Sequence, residues 1–276
     1  MSAPHAISRH RRVRDPRQLF GDYMRLTGTP TLANEKGVKG LSGKALGLIN
    51  GSTWVSLWGT WFGRRILPGV KLVHAGGDHV QLHFMEAHHA GRRCPPRENI
   101  ESFVHTAREL VAFHTVDAIL ITCSTMNRAA PEVRRALARK RIPVVQIDEP
   151  MMEHAVERGG RILVVATHGP TVASTQAMLM ETAKRLGVSV EFDGATVEEA
   201  FDLLGAGNIA AHNRLIARAI RTAIKRGPVS TVVLAQLSMS VWSLDHPDSE
   251  REFGVPVLTS GECGFQRIRE ILLRAK

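Results

Sequence analysis

Residues 117–127 read DAILITCSTMN and residues 230–240 read STVVLAQLSMS; a shift of 113 positions lays one on the other and carries Cys123 to Gln236. The same shift lays RIPVVQID (141–148) on GVPVLTSG (254–261), so that Pro143 meets Pro256. Upstream, KALGLING (44–51) falls on RILVVATH (161–168) with a shift of 117, and GVKLV (69–73) on GVSVE (187–191) with a shift of 118. Any two buried strands look alike, but a shared order of strand, strand, helix, strand, helix, strand is specific. Short apolar runs such as AILITC, IPVVQI, RILVVAT and TVVLAQ alternate with amphipathic stretches such as ESFVHTARELVAFH and NRLIARAIRTAIKR. Strands of that kind are covered by helices on both faces, so the sheets are mostly parallel and the class is α/β. The repeat predicts two similar halves rather than one continuous doubly wound sheet, the alternative the composition leaves open.

The boundaries follow from the same pattern. Residues 1–42 carry Arg9, Arg11, Arg12, Arg14 and Arg17 and no sustained periodicity, which reads as a basic N-terminal arm. The first α/β half spans 43–158 and the second 159–276, with the final helix, 261–276, a candidate to pack back onto the first half.

Composition sets further bounds. Of 276 residues 43% are hydrophobic and 22% charged, the balance of a folded globular protein. Three scattered cysteines, Cys94, Cys123 and Cys263, cannot form a disulfide framework and suit a reducing, cytoplasmic setting. No export signal and no membrane-length apolar segment is present, so a membrane partner is not expected. The net charge of +10 raises nucleic acid as a partner, but beyond the arm the basic residues fall on helix faces and aromatics make up only 5%, too few for stacking platforms. A nucleic-acid partner is therefore not expected either; the basic field suits small anions. GLING lacks the spacing of a dinucleotide fingerprint, and no cofactor is expected. A homo-oligomer is left open.

In parallel α/β sheets ligands bind beyond the carboxyl ends of the strands. Four such ends carry small polar residues: Asn50-Gly51-Ser52-Thr53, Cys123-Ser124-Thr125-Met126-Asn127, Thr167-His168-Gly169-Pro170-Thr171 and Gln236-Leu237-Ser238-Met239-Ser240. Backbone N–H groups and hydroxyls there suit a carboxylate, which makes a small-molecule carboxylate the expected partner. A thiol in the same field is predicted to have a lowered pKa, which makes Cys123 a candidate base or nucleophile, with Cys263 secondary. Read as packing alone, Cys123 fills a strand end.

Taken together, ITCSTMN after a buried strand, RILVVATHGPTVAST opening the second half, VVLAQLSMS, and VPVLTS before the last helix resemble the aspartate/glutamate/hydantoin racemase superfamily over roughly residues 44 to 274. The resemblance implies two pseudo-symmetric Rossmann-like halves with the active site between them and cofactor-independent chemistry at the carbon next to a carboxylate. It implies one cysteine from each half flanking that carbon. Cys123 matches the first position, and Ser124, Thr125 and Asn127 match the segment that holds the substrate carboxylate. The chain departs at the second position, where Ala235-Gln236-Leu237 stands in place of Gly-Cys-Thr or Gly-Cys-Ala. An amide cannot exchange a proton near neutral pH.

Three mechanisms are compatible with that departure. Cys123 works with a second acid or base, His168 first and Glu262 behind it; or Cys123 alone protonates a carbanion left by decarboxylation; or Cys123 adds to a double bond in a cis-trans isomerisation. Catalytic roles are thus expected for Cys123 and His168, and substrate contacts for Asn50, Thr53, Ser124, Thr125, Asn127, Thr167, Gln236 and Ser238. No metal role is assigned, although HAGGDHVQLHFMEAHH (74–89) has metal-like spacing at His79, His83 and Glu86 and supports a metal-hydrolase reading as a rival. A carboxylate binder without catalysis is the non-enzymatic alternative. Trp54, Trp58, Trp61, Met126 and Trp242 are candidates for the pocket walls that select a substrate.

Overall fold

The computed structural model describes residues 15–27 and 37–275. The chain divides after residue 34 into two units. The described part of the first is helix α1 (Pro16–Thr27) with its exposed Asp22–Arg25 ion pair; the sequence pattern does not reveal this helix within the arm.

The second unit runs through the same element order twice. Its first half comprises β1 (Ala45–Asn50), α2 (Ser56–Ile66), β2 (Lys71–Gly76), α3 (Asp78–His89), α4 (Arg97–Phe113), β3 (Ala118–Ile121), a 3-10 helix (Ser124–Ala129), α5 (Ala130–Leu137), β4 (Val144–Gln146) and α6 (Glu149–Glu157). The second comprises β5 (Gly160–Ala166), α7 (Gly169–Leu186), β6 (Val190–Thr196), α8 (Glu198–Gly205), α9 (Ile209–Arg226), β7 (Thr231–Leu234), a 3-10 helix (Leu237–Leu244), α10 (Ser249–Phe253), β8 (Val257–Thr259) and α11 (Ser260–Arg274). Each half holds one four-stranded parallel sheet, ordered β2-β1-β3-β4 and β6-β5-β7-β8. Ile121 pairs with Gln146 and Leu234 with Thr259, so the shift of 113 positions read from the sequence carries one strand pairing onto the other.

Alternation along the strands sorts the apolar residues onto the two faces of each sheet. Leu46, Leu48 and Leu120 enter one core of the first half, and Ile49, Ile119 and Ile121 the other. In the second half Ile162 and Val164 face one core and Leu163 and Val165 the other.

The helix that ends each half covers the opposite sheet. Met151, Met152, Ala155 and Val156 of α6 pack with Ile162 and Val164 of β5. Phe265, Ile268 and Leu272 of α11 pack with Leu46, Leu48 and Phe62, and the Phe62 and Phe265 rings stack at 5.9 Å. A side chain at Gly261 would meet the Phe62 ring at 2.4 Å, so the start of α11 approaches α2 only because that residue is glycine. Leu41, fully buried, joins the same core, so the segment just before β1 belongs to the folded unit rather than to the arm. This exchange ties the halves together and holds the carboxyl ends of their strands toward a shared space. Among the described residues no helix is long and apolar enough to cross a membrane.

Candidate active site

Cys123 follows β3 with extended backbone (φ −100°, ψ 109°) and caps the 3-10 helix Ser124–Ala129. Its thiol is half-buried, stands 3.2 Å from the Thr125 hydroxyl, and lies so close to Gly51 that a Cβ there would come within 2.3 Å of the sulfur. Burial pushes the Cys123 thiol above its ordinary pKa, and the nearby Asp148 carboxyl pushes the same way. The Thr125 hydroxyl and the Met126 and Thr125 N–H groups act against that shift without overcoming it. The lowered pKa expected from strand-end geometry is therefore corrected: a single 3-10 turn offers a weaker field than burial takes away.

A cavity of about 440 Å³ lies between the halves; Ser124 and Thr125, the residues that follow Cys123, line it, and Cys123 itself does not. Ser124, Thr125, Asn127, Arg128 and Asp148 line it from the first half, together with Phe84, Met85, His88, His89, Cys94 and Pro95 from the end of α3 and the loop after it. His168, Thr171, Ser174 and Thr175 at the N-terminus of α7, and Glu198 at the start of α8, line it from the second. Arg128 donates two hydrogen bonds to Glu181 of α7, at 2.7 and 2.8 Å, across one edge. The α7 N-terminus is thus aimed at the cavity, a favourable place for an anionic group.

His168 caps α7 and its ring contacts Phe201 at 4.4 Å. Burial lowers its pKa, Glu198 and Asp202 oppose that, and His88 adds to it, so the imidazole is neutral near pH 7.

The cavity thus brings together Ser124, Thr125, Asn127 and His168, while Cys123 reaches its wall only through the 3.2 Å contact of its sulfur with the Thr125 hydroxyl. The other expected contacts are turned to structural partners. Asn50 is buried; its amide donates toward His74 (3.2 Å) and the Ala75 carbonyl, and its oxygen accepts from Thr122 (2.8 Å). Thr53 donates from both its N–H and hydroxyl to Asp78, at 2.7 and 2.8 Å. Gln236 Oε1 accepts from the Thr167 N–H (2.8 Å) and hydroxyl (2.9 Å), linking the ends of β5 and β7. Ser238 is buried in the second 3-10 helix. None of Asn50, Thr53, Thr167, Gln236 or Ser238 lines the cavity. Glu262 pairs with Arg65, and Cys263 is buried with its pKa pushed up to about 12.

The tryptophans proposed as walls also lie elsewhere: Trp242 and Met126 are in the core, and Trp54 and Trp61 are solvent-exposed. Phe84, Met85 and the two histidines ending α3 take that place. His83 is bound to Asn99 at 2.6 Å and His74, half-buried against Asn50 and Thr60, has its pKa lowered to about 4, so the histidine-rich segment is spent on several different partners. Among the described residues no three His, Cys, Asp or Glu side chains converge as a metal site would require.

Sequence reasoning missed Asp148. It is buried to 1% exposure, accepts from Ser124 Oγ (2.9 Å) and Gln146 Nε2 (2.7 Å), and has its pKa raised to about 6, chiefly by burial. Its signal was available, an acid closing the buried run VVQI, but the repeat pairs it with Gly261 and so gave it no counterpart.

The family model for Asp/Glu/Hydantoin racemase matches residues 70–268. The chain belongs to this family. Solved racemases share its fold. A glutamate racemase from Bacillus anthracis is 18% identical with a TM-score of 0.56, the match covering 84% of this chain and 82% of that one. An aspartate racemase homologue from Pyrococcus horikoshii OT3 is 18% identical at a TM-score of 0.61, covering 83% and 99%. An allantoin racemase from Klebsiella pneumoniae is 20% identical at 0.58, covering 83% and 88%. A search among curated proteins finds no match. Within the racemase family, this chain has a thiol at the end of β3 and an amide at the pseudo-symmetric end of β7.

Proposed function

We propose that this racemase-family protein is a cofactor-independent isomerase that moves a proton at the carbon next to a carboxylate, on a small organic acid or amino-acid derivative. One observation carries the reading: the cavity between the halves is walled by hydroxyls, an amide and a helix N-terminus, and two of its lining residues, Ser124 and Thr125, directly follow Cys123 at the end of β3. The substrate carboxylate is received by Ser124, Thr125, Asn127 and the N–H groups at the start of α7, donors fixed before the substrate arrives. Cys123 takes or gives the proton from the first half. His168, neutral and across the cavity, serves the other face. With Gln236 at the position that the repeat relates to Cys123, the two faces are served by unlike groups. Three free cysteines support a reducing, cytoplasmic setting.

Gln236 favours a second reading. Its amide is held by Thr167 and has no proton to exchange, so a single-thiol decarboxylase, in which Cys123 protonates the carbanion left by loss of carbon dioxide, is the alternative. Proton NMR in deuterated water with amino acids, hydantoins and malonates separates the two. Exchange at the carbon without net loss supports the isomerase, loss of a carboxyl group supports the decarboxylase, and binding without either supports a carboxylate-binding protein.

A further inference from the structure

The facing sides of α4 and α5 enclose a groove of about 620 Å³ that shares no lining residue with the cavity between the halves. Its α4 side is set by Arg97, Glu101, Val104 and Arg108, whose spacing puts them on one face of that helix. The opposite side is set by Glu132 and Arg135 of α5 and by Arg139 of the short 3-10 helix, Ala138–Lys140, that follows it.

The charges in this groove do not cancel. Arg97 donates to Glu101 at 2.9 Å and to Glu132 at 2.6 Å, which takes up both carboxylates that line it. His105, also in the wall, pairs with Glu109 of its own helix. Arg108, Arg135 and Arg139 are exposed and have no acidic partner among the described residues. One end of the groove is therefore neutral, and the other, toward the C-termini of both helices, holds three guanidinium groups on facing walls. A helix C-terminus stabilises a nearby cation, which accounts for one arginine on each helix but not for three around one hollow.

A planar guanidinium pairs with phosphate oxygens through two parallel hydrogen bonds, and several of them suit an anion of more than one charge. The groove has the volume of a small-molecule site, and Val104 and Ala136 make part of its lining apolar. We propose that the α4–α5 groove is an anion site, separate from the cavity between the halves, for a small phosphate-bearing molecule with two or more negative charges. Arg108, Arg135 and Arg139 hold its phosphate oxygens, and Val104 and Ala136 contact its organic part. Because α5 runs on directly from the 3-10 helix that brings Ser124, Thr125 and Asn127 to the cavity, the bound anion stands on the helix behind that wall. The proposal is independent of the carboxylate chemistry argued above.

The test is calorimetric titration of the full chain with inorganic pyrophosphate. One saturable site per chain is expected. Arg135→Ala and Arg139→Ala are each expected to weaken it about tenfold or more, the loss of a charge-assisted hydrogen bond. Arg214→Ala removes the same charge from an exposed position on α9 and is expected to leave the affinity within about twofold, since a distant surface charge is screened. All three arginines are exposed, and circular dichroism confirms that each variant is folded. Absence of saturable binding overturns the proposal. So does an affinity unchanged in both groove variants, which would put the anion elsewhere, the start of α7 included. An equal loss in Arg214→Ala also overturns it, because the attraction would then belong to the net charge of the chain and not to the groove.

Discussion

The Gln236 side-chain oxygen accepts two hydrogen bonds from one residue, Thr167, at 2.8 Å from its N–H and 2.9 Å from its hydroxyl. The pair fastens the end of β7 to the end of β5, so the amide at the position related to Cys123 by the repeat is a structural tie. Thr167→Val removes the hydroxyl and keeps the N–H donor. It is expected to cost about 1 kcal/mol in urea-induced unfolding, the net value of one such bond, with turnover changed little. A loss of turnover with stability intact would give the Thr167 hydroxyl a direct part in the chemistry.

Gly51 sets the place of the Cys123 sulfur by lacking a side chain. A Cβ at residue 51 would lie 2.3 Å from the sulfur and 3.1 Å from the Cys123 Cβ, so one of the two must move. Gly51→Ala is expected to lower exchange about 100-fold, the effect of an ångström-scale misplacement of a reacting group, while far-ultraviolet circular dichroism stays unchanged. Unchanged exchange in a folded variant would mean that the sulfur's position does not matter.

The crossing of α11 onto the first sheet makes the first core depend on the last residues of the chain. Phe265→Ala empties a fully buried site that includes the stacked Phe62 ring, and a loss of about 3–5 kcal/mol is expected by denaturant unfolding.

Two groups, half-buried His74 and buried Asp148, give the protein's acid stability opposite slopes. His74 has its folded pKa lowered by burial from 6.5 to about 4, so the unfolded chain takes up the proton first and stability falls as the pH drops through that window. Asp148 has its folded pKa raised from 3.8 to about 6, so the folded state holds the proton more tightly and stability rises as the pH drops from about 6 to 3.8. The two contributions offset. Asp148→Asn removes the rising one, and its stability is expected to fall more steeply than the wild type's between pH 6 and 4, measured by chemical denaturation across that range. Parallel curves would show that Asp148 does not titrate there.

The fold was legible because it is repeated: the shift of 113 positions found both strand pairs beside the thiol, and buried runs bounded by polar ends located the carboxyl edges of the sheets. Ser124, Thr125, Asn127 and His168 were found as a consequence of that geometry. What the sequence did not disclose were partners. Asn50 and Thr53 have the donors of an anion site, but His74, the Ala75 carbonyl and Asp78 take them up, and nothing in a strand-end motif tells a donor already used from one held ready. Asp148 was hidden because its repeat partner is glycine. Helix α1 was hidden because its apolar residues make too short a run beside the arginines of the arm.

Deuterium uptake from solvent at the carbon next to a carboxylate, followed by proton NMR for wild type and Cys123→Ser, decides whether Cys123 moves a proton there. Uptake is expected for the wild type on at least one amino acid, hydantoin or malonate, with a loss of about 100-fold or more in Cys123→Ser while binding of the same compound persists, the range that follows removal of a positioned acid–base group. Equal uptake by the two proteins would contradict it.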